Sequence, residues 1–318
     1  MRVLIAPDSF GGTLSAVQAA SAIADGWRRA APDTQVISRA LSDGGPGFVE
    51  VLASVGSGRE LPVRVRDPLG RETDAVVLLR GEVAYVESAQ AAGLQLVTPA
   101  ERDPKLTTSF GVGTMVAAAV EAGAREIVIG LGGSATNDGG VGMLAGLGVV
   151  ARDDTGAPLP YGGGALAFVT SCDGVPLLRG ARLVAASDVD NPLLGLEGAS
   201  AVFGPQKGAT PDDVQRLDAA LGRWADVLRR DIPGAPANLA QLPGAGAAGG
   251  LGAAIFALGG HRESGITLVQ DAVGLPDAVA DADLVVSGEG SFDFQSLRGK
   301  VAIGVAGLAA EHGVPCIV

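Results

Sequence analysis

Apolar positions along the chain follow two alternating rhythms. Short unbroken runs such as Val3-Leu4-Ile5-Ala6, Ile127-Val128-Ile129, Leu183-Val184-Ala185-Ala186 and Leu284-Val285-Val286 read as strands buried on both faces. Between such runs lie stretches of helical period. Residues 15–31 put Val17, Ala20, Ile23, Ala24 and Trp27 on one face, which assigns Trp27 to a core. Residues 47–55, a segment from Val141, residues 211–230 (with Trp224 on the apolar side) and residues 301–310 read the same way. Strands at 2–6, 35–41, 127–131 and 282–287 separated by these helices predict a parallel α/β sheet. Residues 61–65, 73–79 and 83–87 break the rhythm. They are strand-like runs joined by Asp67-Pro68-Leu69-Gly70 and Arg80-Gly81, turns short enough to imply antiparallel pairing. The predicted organisation is two α/β domains. Residues 1–62 with 282–318 form a Rossmann- or flavodoxin-like lobe with a parallel sheet, and residues 63–281 form an inserted lobe with a mixed sheet. Residues 152–180 read as loops or a short hairpin. The chain stops inside a strand-like run at 315–318, which reads as a fragment of a longer chain.

Composition narrows the classes. A chain of 318 residues exceeds one ordinary core, and 47% hydrophobic with 18% charged residues is the balance of a soluble globular protein. A net charge of −12 argues against nucleic acid and against anionic membrane surfaces as partners. No apolar run approaches a membrane span, and the first apolar run is too short for a signal peptide, so the expected location is the cytoplasm. Cys172 and Cys316 make no disulfide framework, and with His261 and His312 they are too scattered for a structural zinc site. His261 sits in a loop by composition and no Gly-x-Ser-x-Gly elbow is present, so a Ser-His-Asp hydrolase is disfavoured.

The chemistry gathers after the strands. Gly132-Gly133-Ser134-Ala135-Thr136-Asn137-Asp138-Gly139-Gly140 follows one apolar run. It offers open backbone N–H groups, hydroxyls, an amide and a carboxylate, a set suited to a phosphorylated ligand. Other apolar runs lead to Asp8, to Asp43, to Asp188 and Asp190, and to Glu289 and Asp293. One acid after a strand is an ordinary helix cap. Five such cases point to the carboxyl edge of a parallel sheet, where ligands bind. Of 23 basic residues only Lys105, Lys207 and Lys300 are lysines, and the latter two sit beside glycine, which suits a compact ammonium meeting a phosphoryl group. Carboxylates for Mg²⁺, lysines for phosphate and glycine loops are the parts of phosphoryl transfer, a chemistry that needs no histidine. Gly-x4-Gly-Lys-Ser/Thr is absent. Gly244-Ala245-Gly246-Ala247-Ala248-Gly249 matches a dinucleotide fingerprint in letters, but Pro243 and a poor strand precede it, so it reads as a glycine-rich helix entry. Residues 107–114 precede a helix and suit a cap or an anion, and Glu87, after a strand, is a lesser candidate.

These residues resemble the glycerate kinase family that lacks a P-loop. The resemblance is carried by Ile5-Ala6-Pro7-Asp8-Ser9-Phe10 and by residues 130–140. It is carried also by Ser187-Asp188-Val189-Asp190-Asn191-Pro192-Leu193, Phe203-Gly204-Pro205-Gln206-Lys207-Gly208, and Gly288-Glu289-Gly290 with Asp293, Gln295, Gly299 and Lys300. It implies ATP-dependent phosphorylation of D-glycerate, with 2-phosphoglycerate favoured over 3-phosphoglycerate, in a cleft between two α/β domains. On that resemblance Asp188 and Asp190 hold Mg²⁺ or take the hydroxyl proton, and Lys207 and Lys300 neutralise the moving phosphoryl group. Gly132, Gly133, Ser134, Asn137, Asp138, Asn191, Gln206, Glu289 and Asp293 contact nucleotide or substrate, with Asp8, Ser9 and Asp43 on the opposite wall. Gly11, Pro46, Phe48 and Ser291 stand where the family commonly has Lys, Glu, Thr and Arg. Those changes keep two rivals open: a kinase of another small hydroxy acid, and a non-catalytic nucleotide- or acid-binding relative. A dehydrogenase is a more distant third. A homo-oligomer is compatible with all of them.

Overall fold

The computed structural model describes residues 1–291 and 301–318. It divides into two compact units, Met1–Ser57 with Ser264–Val318, and Gly58–Glu263. The chain opens in the first unit with β1 (Arg2–Ile5), α1 (Ala16–Ala30), β2 (Gln35–Ser38) and α2 (Phe48–Ser54). The second unit runs β3 (Arg59–Arg66), β4 (Glu72–Arg80), β5 (Val83–Glu87), α3 (Ala89–Ala92), α4 (Phe110–Glu121), β6 (Glu126–Gly130) and α5 (Val141–Gly146). It continues with β7 (Val150–Arg152), β8 (Ser171–Asp173), β9 (Arg182–Ala186), α6 (Ala199–Phe203), α7 (Pro211–Asp231), α8 (Ala247–Ala257) and β10 (His261–Glu263). The chain then returns to the first unit with α9 (Gly265–Ala272), α10 (Leu275–Ala280), β11 (Leu284–Val286), α11 (Val301–Glu311) and β12 (Cys316–Ile317).

The first unit holds a parallel sheet of order β12-β11-β1-β2. Its central strand β1 places Val3, Leu4 and Ile5 at 0% exposure, as expected of an apolar run buried on both faces. The second unit holds a mixed sheet of order β10-β9-β6-β5-β4-β3, parallel from β10 to β5 and antiparallel through β4 to β3. The tight turns after β3 and β4 dictate the antiparallel half.

Several details differ from the sequence expectation. The division falls at 57/58 and 263/264, not at 62/63 and 281/282. β3 pairs with β4 along its whole length, from Arg59 opposite Leu79 to Arg66 opposite Glu72, so it cannot be cut at residue 62. Helices α9 and α10 belong with the first unit, against α2 and α11. α1 buries Ala16, Ala19, Ala20 and Ala24, and Trp27 is only partly covered. Trp224 on α7 is fully buried, as its spacing predicts. His261 lies in a strand, not a loop: β10 is a short polar edge strand that exists through its pairing with β9.

Candidate active site

Four parallel neighbours end at one sheet edge in the second unit. Glu87 of β5 lies opposite Gly130 of β6, Gly130 opposite Ala186 of β9, and Ala186 opposite Glu263 of β10. The segments that leave β6 and β9, residues 131–140 and 187–191, therefore emerge side by side at the carboxyl edge, the position where open parallel sheets bind ligands.

The 131–140 loop is fastened from beneath. The Asp138 carboxylate is fully buried; Oδ2 accepts from the Ser109 backbone N–H and hydroxyl, both at 2.8 Å, and from Gly142 N at 3.3 Å, and Oδ1 accepts from Gly140 N at 3.1 Å. Burial pushes its pKa up and these hydrogen bonds pull it down. The carboxylate joins the start of α4 to the start of α5. Lys207 is 2% exposed; its ammonium donates to Ser134 Oγ at 2.9 Å and to the Thr136 carbonyl at 2.6 Å. Burial brings its pKa down to about 7, with the Asp138 charge opposing that shift. Lys207 thus braces the loop from inside. Such burial fits a supporting role better than the expected direct contact with a phosphoryl group. Asn137 donates through Nδ2 to Ser200 Oγ at 2.9 Å, and Trp224 Nε1 donates to the Gly139 carbonyl at 3.0 Å. The Thr136 hydroxyl and Asn137 Oδ1 are buried without a protein partner.

α8 completes the support. Ala248, Gly249 and Gly250 adopt left-handed φ values of 51°, 67° and 96°, and Gly249 O accepts from Gly139 N at 2.9 Å. A Cβ on Gly249 would lie 2.0 Å from the Thr136 carbonyl oxygen, so only glycine lets the two backbones meet. The fingerprint-like run is therefore a packing seat for the loop. No strand precedes it, only a 3₁₀ turn at Leu239–Gln241. What the loop leaves outward is the backbone at Gly133, exposed, and Gly132, partly so.

Asp188 and Asp190 are both exposed in the neighbouring segment. Ser187 N donates to the Glu263 carbonyl at 3.0 Å, and Val189 N donates to Ser187 Oγ at 3.2 Å. Arg262 Nη1 lies 2.6 Å from Asp190 Oδ1 and 3.4 Å from the carbonyls of Ser187 and Val189. Asn191 donates to the Glu197 carbonyl at 2.7 Å, tying off the next turn, and Gln206 is exposed beside Lys207.

The first unit has its own acidic edge. Asp8 follows β1, Asp43 follows β2 and Glu289 follows β11. Burial, then the charges of Asp43 and Glu289, push Asp8 up to about 7 against hydrogen bonds from Ser9, whose N–H lies 2.6 Å from Asp8 Oδ1. Asp43 caps its own loop by accepting from Gly45 N at 3.0 Å. Asp293 and Lys300 lie outside the described residues.

Comparison with known proteins decides the family. The model of the glycerate kinase family matches residues 3–318. This chain belongs to the glycerate kinase family. It is 43% identical to the glycerate 2-kinase of Escherichia coli (strain K12) over 323 residues, spanning 100% of this chain and 84% of that protein. It is equally similar, 43% over 323 residues, to the glycerate kinase of Bacillus subtilis (strain 168), again over 100% of this chain and 84% of that one. A crystal structure of a protein assigned as glycerate kinase 2 from Salmonella typhimurium LT2 superposes with a TM-score of 0.86 at 46% identity, over 99% of this chain and 85% of that chain. The family is a family of kinases, as the resemblance implied.

Within the second unit, then, the edge brings together Gly132, Gly133, Asp188 and Asp190, with Ser134, Asn137, Asp138 and Lys207 beneath. Asp8, Asp43 and Glu289 form a cluster of the first unit. Sequence reading missed Arg262, Ser200 and the role of Ser109. Arg262 lies in a polar run with no motif, and only the pairing of β10 with β9 brings it to the Asp188–Asp190 segment.

Proposed function

We propose that this protein transfers the γ-phosphoryl group of MgATP to a hydroxyl of D-glycerate, with 2-phosphoglycerate the favoured product. One observation carries the reading: a glycine backbone and an acid-bearing segment leave adjacent parallel strands at one edge, in a chain matched by the glycerate kinase family over residues 3–318. Phosphoryl transfer asks a protein for positioning and charge neutralisation. The backbone at Gly132 and Gly133 supplies N–H donors for phosphate oxygens, on a loop kept rigid by Lys207, Asp138 and Trp224. Asp188 accepts the proton of the attacking hydroxyl or holds Mg²⁺, and Asp190 keeps that segment in place. Lys300 neutralises the transferred group. Asp8, Ser9, Asp43, Glu289 and Asp293 are assigned to substrate or metal contacts.

The donor set fits Mg²⁺. Among the described residues no three carboxylate, histidine or cysteine side chains form a cation cage. Mg²⁺ bound through substrate phosphates needs only one or two carboxylates, and Asp188 is a hard oxygen donor of that kind. The ion would supply charge neutralisation on the phosphate oxygens.

Coupling to enolase reads 2-phosphoglycerate directly, while ADP release reads turnover at either hydroxyl. Both signals are expected with D-glycerate and MgATP, and Asp188→Asn should lower kcat by about 10²-fold or more if it serves as the base. No ADP release would overturn the reading. Other small hydroxy acids belong in the same assay, because Pro46, one of the departures from the family pattern, lines an open groove of about 300 Å³ with Ser9, Thr13 and Glu50. Faster turnover of another small hydroxy acid would shift the substrate assignment to it.

A further inference from the structure

Arg262 reaches the Asp188–Asp190 segment from a different strand. β10 runs parallel to β9 with Arg262 opposite Ala185, so the side chain comes from the neighbouring strand to the end of β9. There a single guanidinium nitrogen faces three acceptors: Asp190 Oδ1 and the carbonyls of Ser187 and Val189. The two carbonyls flank Asp188 on either side. The stem passes over Gly244, where φ is +86° and a Cβ would come within 2.7 Å of Arg262 Cδ and 3.2 Å of the Val189 carbonyl. A missing side chain at Gly244 therefore leaves room for the arginine. Asp190 is 75% exposed in this pair, and exposed ion pairs contribute little to stability. The effect of the contact is accordingly on geometry more than on folding.

We propose that Arg262 is the positioning residue of this site: by holding Asp190 and the carbonyls of Ser187 and Val189 it fixes the backbone that carries Asp188. Arginine suits the place because its stem over Gly244 and its planar head hold one terminal nitrogen against all three acceptors, whereas a lysine ammonium is a point charge on a flexible stem. The inference rests on the phosphoryl-transfer reading of that segment. It assigns Arg262 no contact with substrate; it acts through the Asp188 backbone.

The test uses the full chain with Arg262→Ala, Arg262→Lys and, as a control, Arg216→Gln on the exposed side of α7. Misplacing a reacting group by about an ångström costs up to about 10²-fold in rate, so both Arg262 variants should lose roughly 10- to 100-fold in kcat, with KM for ATP and the melting temperature little changed. A cavity of about 250 Å³ lined in part by Pro236, Leu242, Phe256 and His261 adjoins Arg262. Ethylguanidinium should enter there and restore part of the Arg262→Ala rate, while ethylammonium should not. Hydrogen exchange of residues 187–191 without substrate should accelerate in Arg262→Ala and stay unchanged in Arg216→Gln. A kcat within about twofold of wild type, or a loss that tracks a lowered melting temperature and resists ethylguanidinium, overturns the proposal. If wild type fails to phosphorylate glycerate, the functional reading falls separately. Exchange then decides alone: acceleration supports the clamp, and unchanged exchange overturns it.

Discussion

A lysine whose ammonium meets only a hydroxyl and a carbonyl inside a protein destabilises its own charge, and Lys207 is such a lysine. Asp8 shows the mirror case, a carboxyl group whose pKa is pushed up to about 7 by burial and by the charges of Asp43 and Glu289. The two make opposite pH signatures. Lys207 falls from 10.5 to about 7 on folding, so the unfolded chain holds the extra proton between those values, and stability due to Lys207 grows as pH rises through that window. Asp8 rises from 3.8 to about 7, so the folded chain holds the extra proton, and its contribution is lost as pH climbs from about 4 through 7. Melting of wild type against Lys207→Met should therefore show a wild-type advantage that increases from pH 7 to 9. Against Asp8→Asn the advantage should shrink from pH 5 to 7. Differences flat with pH would mean that neither group is shifted. The acids were legible in the sequence because they follow apolar runs. The inward turn of Lys207 was not, because the glycine beside it says nothing about which way the 3₁₀ turn at Pro205–Lys207 faces.

At the level of elements, the 131–140 loop and the first turn of α8 form one interlocked piece. Gly249 is the contact where substitution is least tolerable, since Ala there adds both a left-handed strain and a 2.0 Å overlap with the Thr136 carbonyl. Gly249→Ala should cost about 2–4 kcal/mol in denaturant unfolding, summing roughly 1 kcal/mol or more of backbone strain with 1–3 of overpacking. Ala248→Gly, one residue earlier at φ 51°, should cost nothing beyond about 0.5 kcal/mol, because relief of strain offsets the added freedom of the unfolded chain. Equal losses for the two would refute the interlock. Such a seat is invisible to periodicity: α8 is apolar all round, with all eleven residues buried. Elements with a strong local signal were legible, namely the amphipathic α7 with its Thr210 capping box and the unbroken apolar β1, β6 and β9. The antiparallel pair β7–β8 answers to the short hairpin read near 152–180, whereas the three-residue β10 was not legible, because it owes its conformation to β9, distant in sequence.

The whole molecule carries a net charge of −12 and must bind substrates that are themselves anions. Its described site residues add no outward lysine, since Lys207 is buried and Lys105 is engaged with Asp213 at 2.8 Å. Asp188, Asp190 and Asp43 are exposed and add negative potential to the edges where ligands are expected. Long-range repulsion should then oppose glycerate binding at low ionic strength. The Debye length falls from about 30 Å at 0.01 M to about 8 Å at 0.15 M salt, which screens the distant charges while leaving contacts within a few ångströms intact. Raising KCl across that range at fixed free Mg²⁺ should therefore lower KM for glycerate by roughly two- to threefold, with kcat little changed. A KM that instead rises with salt would show that the local field at the site is positive, made so by arginines or by Lys300, and would place the decisive cations nearer to the ligand than the exposed acids.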